Sequence, residues 1–315
     1  MNANAGAGSR NFSARAKKTF VTILGMWQLY ALILPAMVYV FIFNYIPIYG
    51  VQIAFRDFRP SLGFWGSEWV GLKHFMRFLA YPNFADIVLN TLRISVYDIC
   101  TFPVSVILAL QINEIYSKKF KKIVQMVSYA PHFISTVVLC SIVLLFLNRP
   151  TGMINNVIEL LGGERIEFMA KPELFSSIFV WSGVWQSAGW STIIFLAALA
   201  GVSLEHIEAA IIDGANRLQI IWHVNIPAIM PTIMMMLILS CGNILSVGFE
   251  KIYLLQNAFN LERSQVISTY VYNIGILNGQ FSYSSAIGLF NNAVNITILL
   301  LVNAVVKRFS SIGIW

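Results

Sequence analysis

Charge is what this sequence has least of. Only 11% of its 315 residues are Asp, Glu, Lys or Arg, against about 25% in a soluble domain. Hydrophobic residues make up 57%, with a mean hydropathy of +0.71. So few charges exclude a wholly water-facing surface, and the usual cause is a set of spanning helices, each of about 20 apolar residues. Cysteine is scarce as well. Cys100, Cys140 and Cys241 each lie in an apolar run without C-x-x-C spacing, which reads as three small hydrophobes rather than a disulfide framework. The four histidines have no i, i+4 partner, so no metal site is expected. There is no G-x-x-x-x-G-K-[ST], so ATP, if it powers this protein, is bound by another chain. The small polar stretch Met1–Ser9 reads as a tail, followed by Arg10, Arg15, Lys17 and Lys18. The apolar run behind them continues to about Ile48 with no A-x-A-like cleavage site, so it is read as a retained first helix and not as a signal peptide.

What is present is a series of apolar segments, near 27–48, 88–112, 123–147, 174–200, 226–249 and 284–306. They predict an all-α, polytopic inner-membrane protein with six transmembrane helices. The positive-inside rule fixes its expected orientation. With the N-terminus cytoplasmic, the inside segments carry eleven Lys/Arg and four Asp/Glu. The rest of the chain holds ten of each sign, so the whole formal charge of +7 lies on one side. Both termini are therefore expected in the cytoplasm of a bacterial plasma membrane. The basic clusters, Lys118–Lys122 included, set topology and meet lipid headgroups. Prolines at 35, 103, 131, 227 and 231 predict kinks, which membrane helices tolerate because neighbouring groups re-satisfy the freed backbone.

The loop between the fourth and fifth spans, 201–225, is the informative one. It runs Ser203-Leu204-Glu205-His206-Ile207-Glu208-Ala209-Ala210-Ile211-Ile212-Asp213-Gly214-Ala215-Asn216 and reaches Val224-Asn225-Ile226-Pro227. Ser203 is placed as an N-cap and Glu205 in the first turn, facing the positive helix end. Ile207, Ala210, Ile211 and Leu218 form an expected apolar face. Gly214 can end the helix in a left-handed conformation, and Pro227 marks re-entry into the membrane.

The pattern E-A-A-x3-G-x9-[IV]-x-[LI]-P, filled here by Glu208, Ala209, Ala210, Gly214, Val224, Ile226 and Pro227, resembles the EAA signature of ABC importer permeases. Val224 and Ile226 replace the commoner Ile and Leu. The resemblance implies a cytoplasmic coupling helix that docks in a cleft of an ATPase subunit through Glu205, Glu208, Ala209, Ala210, Gly214 and Pro227. A surface-lying amphipathic helix is the competing reading, but Arg217 is the loop's only basic residue and such helices are usually richer in them. Leu34-Pro35-Ala36, Tyr45–Phe58, Gly248–Leu255 and Ala286–Phe290 resemble the polysaccharide-type branch of the sugar importers, which import alginate, rhamnogalacturonan-derived and other complex oligosaccharides. The family implies a second homologous permease as heterodimer partner, two cytoplasmic ATPase subunits and an extracytoplasmic sugar-binding protein. It implies no cofactor in this chain, since ATP and Mg would be bound by the partner ATPase. Membrane lipid is an expected partner and nucleic acid is not. The implied organisation is a cytoplasmic tail over 1–20, a transmembrane permease domain over 21–309 and a C-terminal tail over 310–315.

Polar residues within the spans are the candidates for a sugar pathway, because a charge at a helix centre costs about 2.5–3.5 kcal/mol on insertion scales. Asp98 lies ten residues into the second span, where it either pairs with another helix or lines the pathway. Ser240, Asn243, Val247 and Glu250 fall at i, i+3, i+7 and i+10, which is one helix face, with Ser246 beside it. Small residues also serve helix packing, but by resemblance to sugar permeases this helix contributes hydroxyl and amide groups to the substrate site. Asn291 and Asn295 share a face of the last span, with Asn292 nearby, and amides suit sugar hydroxyls. Trp181 and Trp185 form either a stacking platform for a pyranose or ordinary interfacial packing, with Trp190 further along the same span.

Three other functions fit the sequence less well. A peptide or amino-acid ABC permease differs only at the level of the branch. A secondary transporter would want two similar halves with paired broken helices. An enzyme acting on lipid-linked sugars would want clustered carboxylates, which Asp57, Asp86 and Glu68 do not form.

Overall fold

The computed structural model describes residues 25–242 and 244–309. The tails and their basic residues Arg10, Arg15, Lys17 and Lys18, together with Asn243, lie outside the described residues. The chain separates into two compact units, Met1–Ile53 and Ala54–Trp315.

The described part of the first unit is helical throughout. α1 (Trp27–Val40) passes through a π turn (Phe41–Tyr45) into a tighter 3-10 stretch beginning at Ile46. No residue of α1 is buried, and Pro35 sits inside it. An apolar helix exposed on every side suits lipid or a partner chain rather than water.

The second unit opens on the one departure from an all-helical fold among the described residues. β1 (Arg56–Asp57) and β2 (Glu68–Trp69) pair antiparallel, with Arg56 opposite Trp69. After α2 (Lys73–Leu79) come α3 (Phe84–Thr101) and α4 (Pro103–Asn113), which together form one 30-residue apolar span. Pro103 stands in the first turn of α4, where its missing N–H costs nothing.

The third expected span is not one helix. α5 (Lys118–Tyr129) continues into a 3-10 turn at Ala130–Phe133 that holds Pro131, and α6 (Thr136–Leu147) is bent from that arm by 99° across Ile134–Ser135. Ile134 and Ser135 are extended, and Ser135 Oγ caps a fresh helix start by accepting from Val138 N at 3.4 Å. α6 has twelve residues and reaches only about 18 Å at 1.5 Å per residue, short of a hydrocarbon core of about 30 Å. α5, which carries four lysines, is amphipathic and suits the interface instead.

α7 (Phe175–Ala200) is continuous, as expected. α8 (Leu204–Ile212) and α9 (Arg217–Ile220) follow, and a π turn (Ile221–Asn225) leads into α10 (Ile226–Cys241). Pro227 stands in the first turn of α10, as expected of a helix start. The helix runs unbroken from Arg217 to Cys241, because Pro227 follows the wider π turn and needs no donor there. The chain leaves the helix after Cys241, eight residues before the expected end at 249, and resumes as α11 (Phe249–Leu255), α12 (Ile267–Tyr272) and the 29-residue α13 (Phe281–Phe309).

Three packed clusters hold this unit together. One joins Ile94 of α3 and Cys140 of α6 to Phe175, Phe179 and Val180 of α7 and Ile252 of α11. A second joins Phe78 and Ile87 to Tyr270, Tyr283 and Ile287. The third joins Val106 and Ala109 of α4 to Phe195 and Leu199 of α7 and Ile229 of α10. Lipid is as apolar as these side chains, so close packing rather than water exclusion holds membrane helices together.

Candidate functional sites: a polar cavity and an exposed loop helix

α3, α7, the end of α10 and α11 line an open cavity of about 450 Å³. Asp98, Ser240 and Ser246, three of the candidates, line it, together with Ser95, Gln186 and Lys251. Asp98 thus shares this cavity with hydroxyl, amide and ammonium groups. Gln186 is fixed by donating to Ile134 O at 2.8 Å, which ties the cavity wall to the bend between α5 and α6. Ser240 donates to Met236 O within its own helix at 2.9 Å.

The single-face stripe Ser240–Asn243–Val247–Glu250 does not form, because the helix ends at Cys241 and residues 246–248 are not helical. The break shifts the phase of everything after it. Lys251 lines the cavity while Glu250 does not. Lys251 was missed by counting along a continuous helix; its signal was a lone lysine between apolar runs. It is buried, donates from Nζ to Phe179 O at 2.6 Å, and sits 4.5 Å from the centre of the Phe179 ring.

Asn295 has a different job from the one expected. Its Oδ1 accepts from Leu245 N at 2.9 Å and its Nδ2 donates to Ser246 Oγ at 3.0 Å. It thus satisfies backbone freed where α10 ends, and does not reach the cavity. Asn291 is half-buried with an unpaired Oδ1, Asn292 is exposed, and neither lines the cavity. The tryptophans form no platform there. Trp181 Nε1 donates to Tyr97 Oη at 2.9 Å, Trp190 stacks on His132 at 4.6 Å, and Trp185 lines a separate, apolar cavity beside α6.

The second candidate site is α8. Glu205, Glu208 and Ala209 are exposed and Ala210 is half-buried. The expected apolar face splits: Ile207 and Ala210 turn inward, whereas Ile211 and Leu218 are exposed, as are Leu204 and Ile212. Ser203 occupies the N-cap position, but its side chain makes no capping bond. The far end is closed firmly. Gly214 has φ +80°, its N–H donates to Ile211 O at 3.0 Å, and Ala215 N donates to Ala210 O at 2.9 Å. This paired closure needs a left-handed residue after the helix. Asn216 and Gln219 then cap α9 reciprocally, at 3.0 and 2.7 Å. Arg217 stacks over Tyr116 at 4.9 Å, so the loops at 113–117 and 201–217 lie at the same end of the helices.

Residues 101–311 match the family described as binding-protein-dependent transport system inner membrane component. The chain is 43% identical over 302 residues to the polygalacturonan/rhamnogalacturonan transport system permease protein YteP of Bacillus subtilis, covering 96% of this chain and 94% of that one. It is also 43% identical over 288 residues to the B. subtilis protein LplB, covering 91% of each. Among solved structures it resembles a chain of a bacterial ABC transporter involved in the import of the acidic polysaccharide alginate. The TM-score there is 0.86 at 37% identity, over 93% of this chain and 99% of that one. The same likeness holds to that transporter in complex with an alginate pentasaccharide-bound periplasmic protein, with a TM-score of 0.86 at 36% identity, over 94% and 99% of the two chains.

Proposed function

We propose a specific role for this chain from the premise that it belongs to the binding-protein-dependent transport system inner membrane component family: it passes an oligosaccharide through the membrane under the control of an ATPase docked on α8. As a member of that family it is a non-catalytic permease subunit of an ABC importer in the inner membrane. The oligosaccharide cargo is supported by the polysaccharide transport named for its relatives and by the hydroxyl and amide groups around the cavity.

The observation that carries the coupling role is α8 itself. It is a short helix with a firm left-handed end that leaves Leu204, Ile211 and Ile212 exposed beside Glu205 and Glu208. Apolar side chains set among carboxylates on an unpartnered helix suit a protein cleft better than water. In this reading both termini are cytoplasmic, and the ATPase closes on ATP and pushes α8. Asp98, Ser240 and Ser246 then contact passing sugar as the helices rock. Asn243 belongs to the same proposal. A second permease completes the pathway, two ATPase subunits bind ATP and Mg, and an extracytoplasmic binding protein delivers the cargo. That last partner is supported by the complex known for the alginate transporter.

Purification of the tagged chain from its native membrane in mild detergent tests the assembly. Recovery of a second permease and an ATPase is the expected result. Recovery of this chain alone would contradict it.

A further inference from the structure

The cavity holds a charge that moving a neutral sugar does not require. Lys251 is the only cation among the described residues that line it. An ammonium has three donors, and the hydrogen bond seen here goes to Phe179 O, with the ring of the same residue beneath. Neither partner carries a compensating charge. Asp98 shares the cavity but is not in ion-pair contact with Lys251. The ammonium is also held in place: a Cβ at Gly183 would lie 3.0 Å from Nζ, so the glycine leaves the room that it fills. A lysine needed only to pin α11 to α7 could be replaced by any neutral donor, without the cost of burying an ion.

We infer that Lys251 recognises a carboxylate of the cargo, so that this permease is built for acidic, uronic-acid-bearing oligosaccharides, with Asp98 balancing the lysine while the cavity is empty. The inference rests on the cargo reading given above. A carboxylate entering the cavity is repelled by Asp98 and attracted by Lys251, which gives the sugar one favoured orientation. The surrounding hydroxyl and amide groups serve sugars of either kind and set no preference for charge.

The test uses the complete importer in proteoliposomes with ATP, supplied with saturating binding protein. Two probes are compared: a uronic-acid pentasaccharide and the same pentasaccharide with its carboxylates reduced to alcohols. The binding protein is the same throughout, so a change in preference between variants reports this chain. Lys251→Met is expected to lower uptake of the acidic sugar at least tenfold more than uptake of the reduced one. Lys251→Arg keeps the preference, and Asp98→Asn widens it. Equal slowing of both sugars in Lys251→Met, or a preference that survives it, would overturn the inference and leave Lys251 a packing residue. Failure of the wild type to take up either sugar would overturn the cargo reading as well.

Discussion

Gly189 of α7 lies directly against the backbone of Ser128 in α5: a Cβ at that glycine would stand 2.0 Å from the Ser128 carbonyl oxygen. No side chain can give way there, because the obstacle is main chain. Two membrane helices therefore touch at backbone distance, with Thr192 buried one turn on, in the manner of small-residue interfaces generally. Gly189→Val is expected to force α5 and α7 apart, at a cost of about 1–3 kcal/mol for overpacking. A lowered thermal midpoint in detergent, with a smaller loss for Gly189→Ala, would be the readout.

Asn295 holds the broken stretch after α10. Asn295→Leu leaves Leu245 N without its acceptor, and an unsatisfied buried donor costs about 1–3 kcal/mol. The expected result is a destabilised protein with faster hydrogen exchange at 244–248. Unchanged exchange there would mean that Asn295 is not the clamp.

Gly214 tests the coupling loop without touching its charges. Its φ of +80° costs an ordinary L residue about 1–2 kcal/mol, while a Cβ there meets nothing within 4 Å. Gly214→Val should therefore leave the membrane helices intact and weaken coupling. ATPase stimulation by loaded binding protein should fall more than assembly with the ATPase.

Asp57 gives the segment after α1 a pH dependence. A hydrogen bond from Lys73 at 2.5 Å, helped by His74 at 3.0 Å, holds its carboxyl below the usual carboxylate range. A depressed folded value contributes stability that is present above the unfolded value of about 3.9 and is lost as pH falls through the folded value. Exchange protection over 56–79 should therefore drop on acidification below pH of about 4, and Asp57→Asn should remove that step.

Much of this protein was legible in its sequence because membranes reward simple patterns. The run from Phe175 to Ala200 is apolar and free of proline, and it reads directly as a helix. Gly214 was legible because only a residue tolerant of positive φ closes a helix in that way. The bend at Ile134–Ser135 was harder to read. Pro131 announced a kink, but 99° depends on the new helix start that Ser135 provides. The end of α10 at Cys241 is marked locally only by Gly242, a weak signal inside an apolar run, and the break it opens is stabilised by Asn295, fifty residues on from Leu245. Counting through that break on a continuous helix is what placed Glu250 on the polar face and passed over Lys251.

The most direct test of the account is ATP-driven oligosaccharide uptake by proteoliposomes carrying the complete importer, wild type against Glu208→Lys. Glu208 is exposed on α8, so reversing its charge should leave the chain folded while spoiling the surface offered to the ATPase. Uptake lost together with binding-protein-stimulated ATP hydrolysis, with the helices still folded, is the predicted result. Uptake at the wild-type rate in Glu208→Lys would contradict the coupling role of this loop.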